Sequence, residues 1–370
     1  MPASLRISGL AAAVALTAAL TSCSTGGGSP SSSAVSSSPA SASTLKQQAQ
    51  REHGLVIYAN IPSQYFQPII AAFSMQYPFI KISTADLEDN VVFSKYETEA
   101  AQGARTADML IASAPAAWVQ GEQNGVSAGV TPTGLSAFPS WVNQGHGVFV
   151  MSAEPILLAY NDKLLTRSQV PTTYAQLAAD AKANPAKYKL VSYSISNQLD
   201  YAGIYGLTHL LGAAKVWSYY DAMAPVTKTF GDGLTGLAYL LQGGASVGYM
   251  TSGLAQGVLP HYKGLASYTY MQDATPLIPR GITVTKNAAS PASAQLFLDF
   301  LYTQAGQDAL CAGGLEATMT NFHSANGCTA SLAALQSHVP ANTIYLVPIN
   351  QAVLDQQSAI TKRWNQSFHR

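Results

Sequence analysis

One pentapeptide has the spacing of a hydrolase nucleophile. Gly125-Val126-Ser127-Ala128-Gly129 reads G-x-S-x-G, a pattern whose serine attacks from a sharp turn between a strand and a helix. The flanks do not provide that turn. "AAWVQGEQN" before it is helical in pattern, and "VTPTGLSAFP" after it carries two prolines, so Ser127 is expected in a surface loop. The seven histidines form no H-x-H or H-E-x-x-H pair, which leaves a two-histidine zinc centre without a local signature. Tyr219 and Tyr220 in "WSYYDAM" are adjacent oxygen donors, but they fall on a helical pattern that packs one and exposes the other. Asp86, Glu88, Asp200 and Asp232, with tyrosine faces, would suit a cationic solute. No catalytic residue, metal-ligand set or cofactor is assigned. What remains is chemistry of binding, and the elements that hold it come next.

The chain has 370 residues, with Lys+Arg and Asp+Glu balanced at 19 each and only 10% of residues charged. No basic patch is available for a phosphate backbone, which argues against nucleic acid as a partner. The length after residue 50 suits two lobes better than one. No stretch after Cys23 is long and apolar enough for a bilayer span.

The N-terminus reads as an export signal over residues 1–22: Arg6, then an apolar run from Ile7 to Leu20 that is too short to span, then small residues. Leu20-Thr21-Ser22-Cys23 resembles the lipobox of bacterial lipoproteins. That resemblance implies a diacylglycerol on the Cys23 thiol and tethering to the bacterial cell membrane; the alternative is an ordinary signal peptide with an incidental cysteine. The Ser/Gly/Ala/Pro tract that follows cannot bury a core, so residues 23–50 are expected to be a disordered linker. If Cys23 carries lipid, Cys311 and Cys328 remain as a pair outside the cytoplasm, where disulfides persist. Two unpaired buried thiols are the other possibility.

The rest of the chain alternates strand and helix. Short apolar runs at 55–60, 79–84 and 107–113 are separated by amphipathic stretches, and the same grammar returns with runs at 155–161, 188–194, 247–250 and 280–286. Ser290-Pro291 opens a last amphipathic helix with a cap and an N1 proline. Parallel sheets with right-handed crossovers follow from this order. The chain is expected to leave lobe 1 near Met151–Glu154 and return near Pro276–Pro279, so that lobe 1 is 51–152 plus 280–370 and lobe 2 is 153–279.

The ordered set "LVIYANIPSQYFQPIIAAFSMQYPFIKIS", "ARTADMLIASAPAAWV", "EPILLAYNDKLL", "PTTYAQLA", "KYKLVSYSIS", "GGASVGYMTSG" and "GITVTKNAASPASAQLFLDFLYTQAGQDAL" resembles the extracellular solute-binding proteins of bacterial ABC importers. The nearest branch is the type II cluster of ferric-iron, phosphonate and sugar-phosphate binders. The resemblance implies an α/β two-lobe clamp, each lobe a mainly parallel sheet flanked by helices, joined by two hinge strands near 150–155 and 275–281. It implies a monomer that captures a small solute and hands it to a membrane permease; a surface sensor would use the same clamp. The iron-binding positions of that branch fall near Pro62, Ser113 and Gly253-Leu254, and none of its ligands is kept. A neutral or anionic organic solute is therefore expected, phosphate or phosphonate included, with ferric iron or a polyamine- or thiamine-like cation as alternatives.

In open parallel sheets, ligands sit where strand carboxyl ends meet helix N-termini. The candidate binding residues are therefore Asn60, Ile61 and Ser63, Ser113 with Ala114, Ser194 and Ser196, the Gly231-Asp232-Gly233 turn, and Thr251 with Ser252.

Overall fold

The computed structural model describes residues 42–369. The export signal, Cys23 and the linker as far as residue 41 lie outside the described residues. Regular structure begins earlier than expected. α1 (Ala42–Ala49) is a helix where a linker was expected to run to residue 50, because Leu45 and Ala49, four apart on one face, pack into the core beneath them.

Seven elements build the first half: β1 (Leu55–Ala59), α2 (Ser63–Gln76), β2 (Ile82–Asp86), α3 (Asp89–Ala101), β3 (Met109–Ala112), α4 (Pro115–Gln123) and the short β4 (Asn143–Gly145). β1 is central, with β2 and β3 parallel to it on either side. β2 starts three residues later than the apolar run predicts, since Ile80 turns inward into the core and its N–H closes on Tyr77 O at 3.1 Å. The shift carries Asp86 to the end of the strand.

β5 (Val148–Asn161) is twice the expected length and buried at every position. The other half follows: α5 (Tyr174–Ala183), β6 (Leu190–Tyr193), α6 (Gln198–Leu211), α7 (Ala213–Met223), β7 (Thr227–Phe230), α8 (Gly233–Leu241), β8 (Val247–Ser252), α9 (Ala255–Val258) and β9 (Ala266–Thr269). β10 (Thr275–Val284) then runs back antiparallel to β5, pairing Leu277 with Pro155 at one end and Ile282 with Phe149 at the other. The chain closes with α10 (Pro291–Leu301), α11 (Gln304–Ala312), α12 (Leu332–His338), β11 (Ile344–Leu346) and α13 (Gln351–Ser367).

The strand order is β2-β1-β3-β10-β5-β8-β6-β7. β2-β1-β3 and β8-β6-β7 are parallel triplets. β10 and β5 run antiparallel to one another and to the triplet each adjoins, joining one triplet to the other. Two long strands crossing the centre side by side are the geometry of a paired linker between two α/β halves.

One apolar core lies under β1, with Phe66, Ile69 and Phe73 of α2 against Phe297 and Phe300 of α10. A separate core gathers α5, α6 and α7 around Tyr201, Ile204 and Tyr220. α13 joins this second core through Val353, Ile360 and Trp364. It also meets α4 of the first half, with Leu354 packing on the core around Trp118, so the helix touches both halves. The apolar stripe of α13 (positions 353, 360 and 364) finds its greasy partner on α6 and α7. Cys311 and Cys328 form a disulfide, their Cα atoms 5.9 Å apart. Among the described residues no helix is long and apolar enough to cross a membrane.

Candidate functional site

The carboxyl ends of the two parallel triplets face one another across a cleft of about 250 Å³. Asn60 directly follows β1, Asp86 ends β2 and Ser113 directly follows β3; from the other side come Tyr193 at the end of β6, Asp232 and Gly233 at the start of α8, and Thr251 and Ser252 of β8. Asn60, Ser113, Asp232, Gly233, Thr251 and Ser252, all singled out from sequence, thus share one cavity. Ser196 and Gly231 line an adjoining recess with Glu88, Asp89 and Asn197. Ile61 and Ala114 do not reach it: both are buried in the apolar cores on which the strand ends rest. Ser63 is exposed at the first turn of α2, where Pro62 and Tyr65 take the lining positions instead. Ser194 is spent on local structure, its N–H closing on Phe230 O at 2.7 Å and its Oγ accepting from Ser196.

The floor is one hydrogen-bonded set. Asn60 Nδ2 donates to Ser113 Oγ at 2.7 Å and to Asp89 Oδ1, and Ser113 N–H returns to Asn60 Oδ1 at 3.2 Å. Arg280 of β10 donates through Nη1 to Asn60 O at 2.8 Å and through Nε to Glu154 of β5 at 3.3 Å. Arg280 and Glu154 are both almost wholly buried. Glu154 also accepts from Ser152 Oγ at 2.5 Å.

The electrostatics are lopsided. Asp86, Glu88, Asp89 and Asp232 line the cleft, and Arg280 is its one cationic lining residue. Burial pushes the Asp89 carboxyl up to about 6, although Arg280 pulls the other way. Glu88 is raised by burial and then by Asp232 and Asp86 across from it. Asp86 is raised by burial against the pull of Arg280. Loss of water around each carboxyl is the leading cause in all three, with neighbouring acids adding to it at Asp89 and Glu88.

Gly233 has a steric role. A side chain there would collide with the Tyr193 phenol, which lies over the start of α8. Asp232 caps that helix, its Oδ1 accepting from Thr235 N at 2.8 Å.

Sequence reading missed Arg280, Asp89 and Tyr193. Arg280 left a trace, a lone charge inside the otherwise uncharged strand "TPLIPRGITV". Asp89, at a helix start, and Tyr193, at a strand end, carry no local mark that sets them apart. Asp200, named as a possible cation ligand, is instead in the core: fully buried, accepting from Ser192 Oγ at 3.2 Å, with burial raising its carboxyl to about 8. Tyr220 is packed in the same core and Tyr219 half-buried beside it. Ser127 lies in a loop between glycines of positive φ, bonded to Thr283 Oγ1 at 2.9 Å and to Gly129 N–H at 3.0 Å. No strand-to-helix elbow forms there.

Two α/β halves, a pair of crossing strands and a polar cleft between opposed strand ends define a two-lobe, type II solute-binding fold. A family model described as bacterial extracellular solute-binding protein matches residues 59–308, and the chain belongs to that family. Among solved structures it is similar to the substrate-binding protein of an ABC transporter from Agrobacterium tumefaciens, 19% identical, with a TM-score of 0.77 over 86% of this chain and 96% of that one. Iron-bound HitA from Pseudomonas aeruginosa is 17% identical, with a TM-score of 0.68 over 85% and 99%. AfuA from Actinobacillus pleuropneumoniae, with fructose-6-phosphate bound, is 16% identical, with a TM-score of 0.69 over 85% and 98%. No curated protein matches the chain in sequence.

Proposed function

We propose that this chain is the solute-capturing component of an ABC importer, anchored outside the cytoplasm by lipid on Cys23 after removal of residues 1–22. It acts as a monomer, takes a small molecule into the cleft and presents it to a membrane permease, without covalent chemistry. Lobe 1 is built on 51–152 and the segment from 280, lobe 2 on 153–279 with α13 packed against it. β5 and β10 serve as the hinge, and binding shifts an equilibrium between open and closed forms. The observation that carries this reading is the cleft itself, lined from both sides by Asn60, Ser113, Asp232, Thr251 and Ser252 in a member of a solute-binding family.

The charge pattern favours a solute bearing a protonated amine or similar organic cation. Four carboxylates line the cleft, whereas its single guanidinium is engaged by Glu154 and Asn60. A phosphate would meet acids where a bare helix end is needed: Asp89 opens α3 and Asp232 caps α8. The phosphate or phosphonate reading keeps the backbone N–H groups of the strand ends in its favour, but it has to overcome these charges. Direct iron binding finds no group of three or more histidine, cysteine or acidic side chains suited to a metal among the described residues.

A thermal-shift screen of polyamines, thiamine-like cations, sugar phosphates, phosphonates and iron complexes tests the assignment. A ligand at a hundred times its dissociation constant stabilises the protein by about 2.7 kcal/mol. Turnover of any of these compounds by the purified protein would overturn the reading.

A further inference from the structure

A second buried polar run adjoins the cleft wall at Leu254 and Ala255. Gln256 of α9 donates from Nε2 to Glu316 Oε2 at 3.1 Å and accepts at Oε1 from Tyr270 O–H at 2.7 Å. All three residues are buried. Glu316 directly follows Leu315, which sits in the core under β1. Gln256 follows β8 in the other half. On the two-lobe reading above, this hydrogen bond crosses from lobe to lobe. Its neighbours do the same at closer range: a Cβ on Gly257 would lie 3.1 Å from Gly314 Cα, so backbone meets backbone there.

The charges at this seam do not balance. Glu316 Oε1 and Glu154 Oε2 are both buried without a hydrogen-bond partner. The titratable groups facing Glu316 are Glu154 of β5, Tyr268 of β9 and Tyr270 just beyond it. His338 of α12 stacks on the far side of the seam against the Tyr270 ring, 5.6 Å between centroids. The nearby cation, Arg280, is taken by Glu154 and Asn60. An ionised Glu316 would thus be an uncompensated charge out of water beside a second carboxylate, which is costly enough that the group keeps its proton instead.

We propose that Glu316 is a positioning residue of the solute cleft: in protonated form it holds Gln256, and with it the wall after β8, against the opposite lobe, so that closing the cleft takes up a proton. The direction of the pH effect follows. With the described structure taken as the closed form, opening would part Gln256 from Glu316 and return the carboxyl to water, where the ordinary value is about 4.3. In the closed form burial raises it to about 8. Between those limits closure binds one proton, and the closure constant falls by up to about tenfold for each unit of rising pH.

Small-angle scattering of the full chain without solute, at pH 5.5 and 7.5, tests this. The wild type is expected to be compact at the lower pH and expanded at the higher. Glu316→Gln, which keeps the shape without the titration, is expected to stay compact at both. Gln256→Met, which removes the hydrogen bond but preserves bulk, is expected to be expanded at both and serves if Glu316→Gln does not fold. Identical pH responses in wild type and Glu316→Gln, or no response in the wild type, would overturn the proposal. A wild-type radius that also ignored a compound shown to raise the melting temperature would overturn the clamp beneath it.

Discussion

One guanidinium nitrogen of Arg280 donates to Asn60 twice, to the backbone oxygen at 2.8 Å and to the side-chain Oδ1. Arg280 belongs to a strand that crosses the middle of the molecule, and Asn60 directly follows the central strand of the first half. The same guanidinium holds Glu154 on the other crossing strand. The cleft floor and the paired linker strands are therefore joined through one side chain.

Replacing that side chain tests the join. Arg280→Met leaves Glu154 buried and uncompensated and is expected to cost about 3–5 kcal/mol in urea unfolding. Adding Glu154→Gln should recover part of the loss, because the two residues share one interaction. A single-variant loss below about 1 kcal/mol would mean the pair is open to water.

Ser113→Ala removes the hydroxyl that Asn60 Nδ2 reaches at 2.7 Å. It is expected to cost about 1 kcal/mol of stability and to weaken solute binding roughly tenfold by calorimetry, since Asn60 and Asp89 lose their shared anchor. Unchanged affinity would place the solute elsewhere in the cleft.

Glu88→Gln and Asp232→Asn read the sign of the solute. With an amine-bearing ligand, each should lower affinity by roughly tenfold and flatten its dependence on salt. With a phosphate-bearing ligand both substitutions should raise affinity. The two outcomes are opposite, so one titration series separates them.

Asp200 sets a pH dependence of stability. Its carboxyl is raised to about 8 in the folded chain, against an ordinary value of about 3.9 unfolded. The stabilising contribution is then complete below about pH 4 and falls by at most ~1.4 kcal/mol per unit as pH rises toward 8. Asp200→Asn should be less sensitive to pH over that range and should gain on the wild type at pH 8. Parallel curves for the two proteins in denaturant melts would show that Asp200 does not carry the proton.

The Cys311–Cys328 bridge closes a loop with a sequence separation of 17. Reduction, or Cys328→Ser with Cys311→Ala, is expected to destabilise by about 3 kcal/mol and to lower the melting temperature. The same melting temperature with and without reductant would remove the bridge from the stability of the fold.

Much of the site was legible because short buried strands announce themselves. Apolar runs ending in Asn60 and Ser113, and one stopping just ahead of Thr251 and Ser252, needed no partner to be recognised, and the strand-end rule then placed them on a common edge. Asp89 and Arg280 were not legible in the same way. An acid ahead of a helix and an arginine in a strand each have an ordinary local reading, and both reach Asn60 only because residues 191 positions apart are folded onto one another. α13 escaped for a related reason. Its apolar stripe was visible, but which core received it was not.

The amino-acid order alone settled the alternation of strands and helices, the two-lobe class and the edge on which small polar residues gather, since periodicity and capping are local properties of the chain. Only the tertiary structure decided the charge of the cleft. Carboxylates from β2, α3 and α8 converge there while its one guanidinium turns to Glu154, and such sums over distant residues exist only once the backbone has brought them within reach of one another in a medium where water no longer screens them.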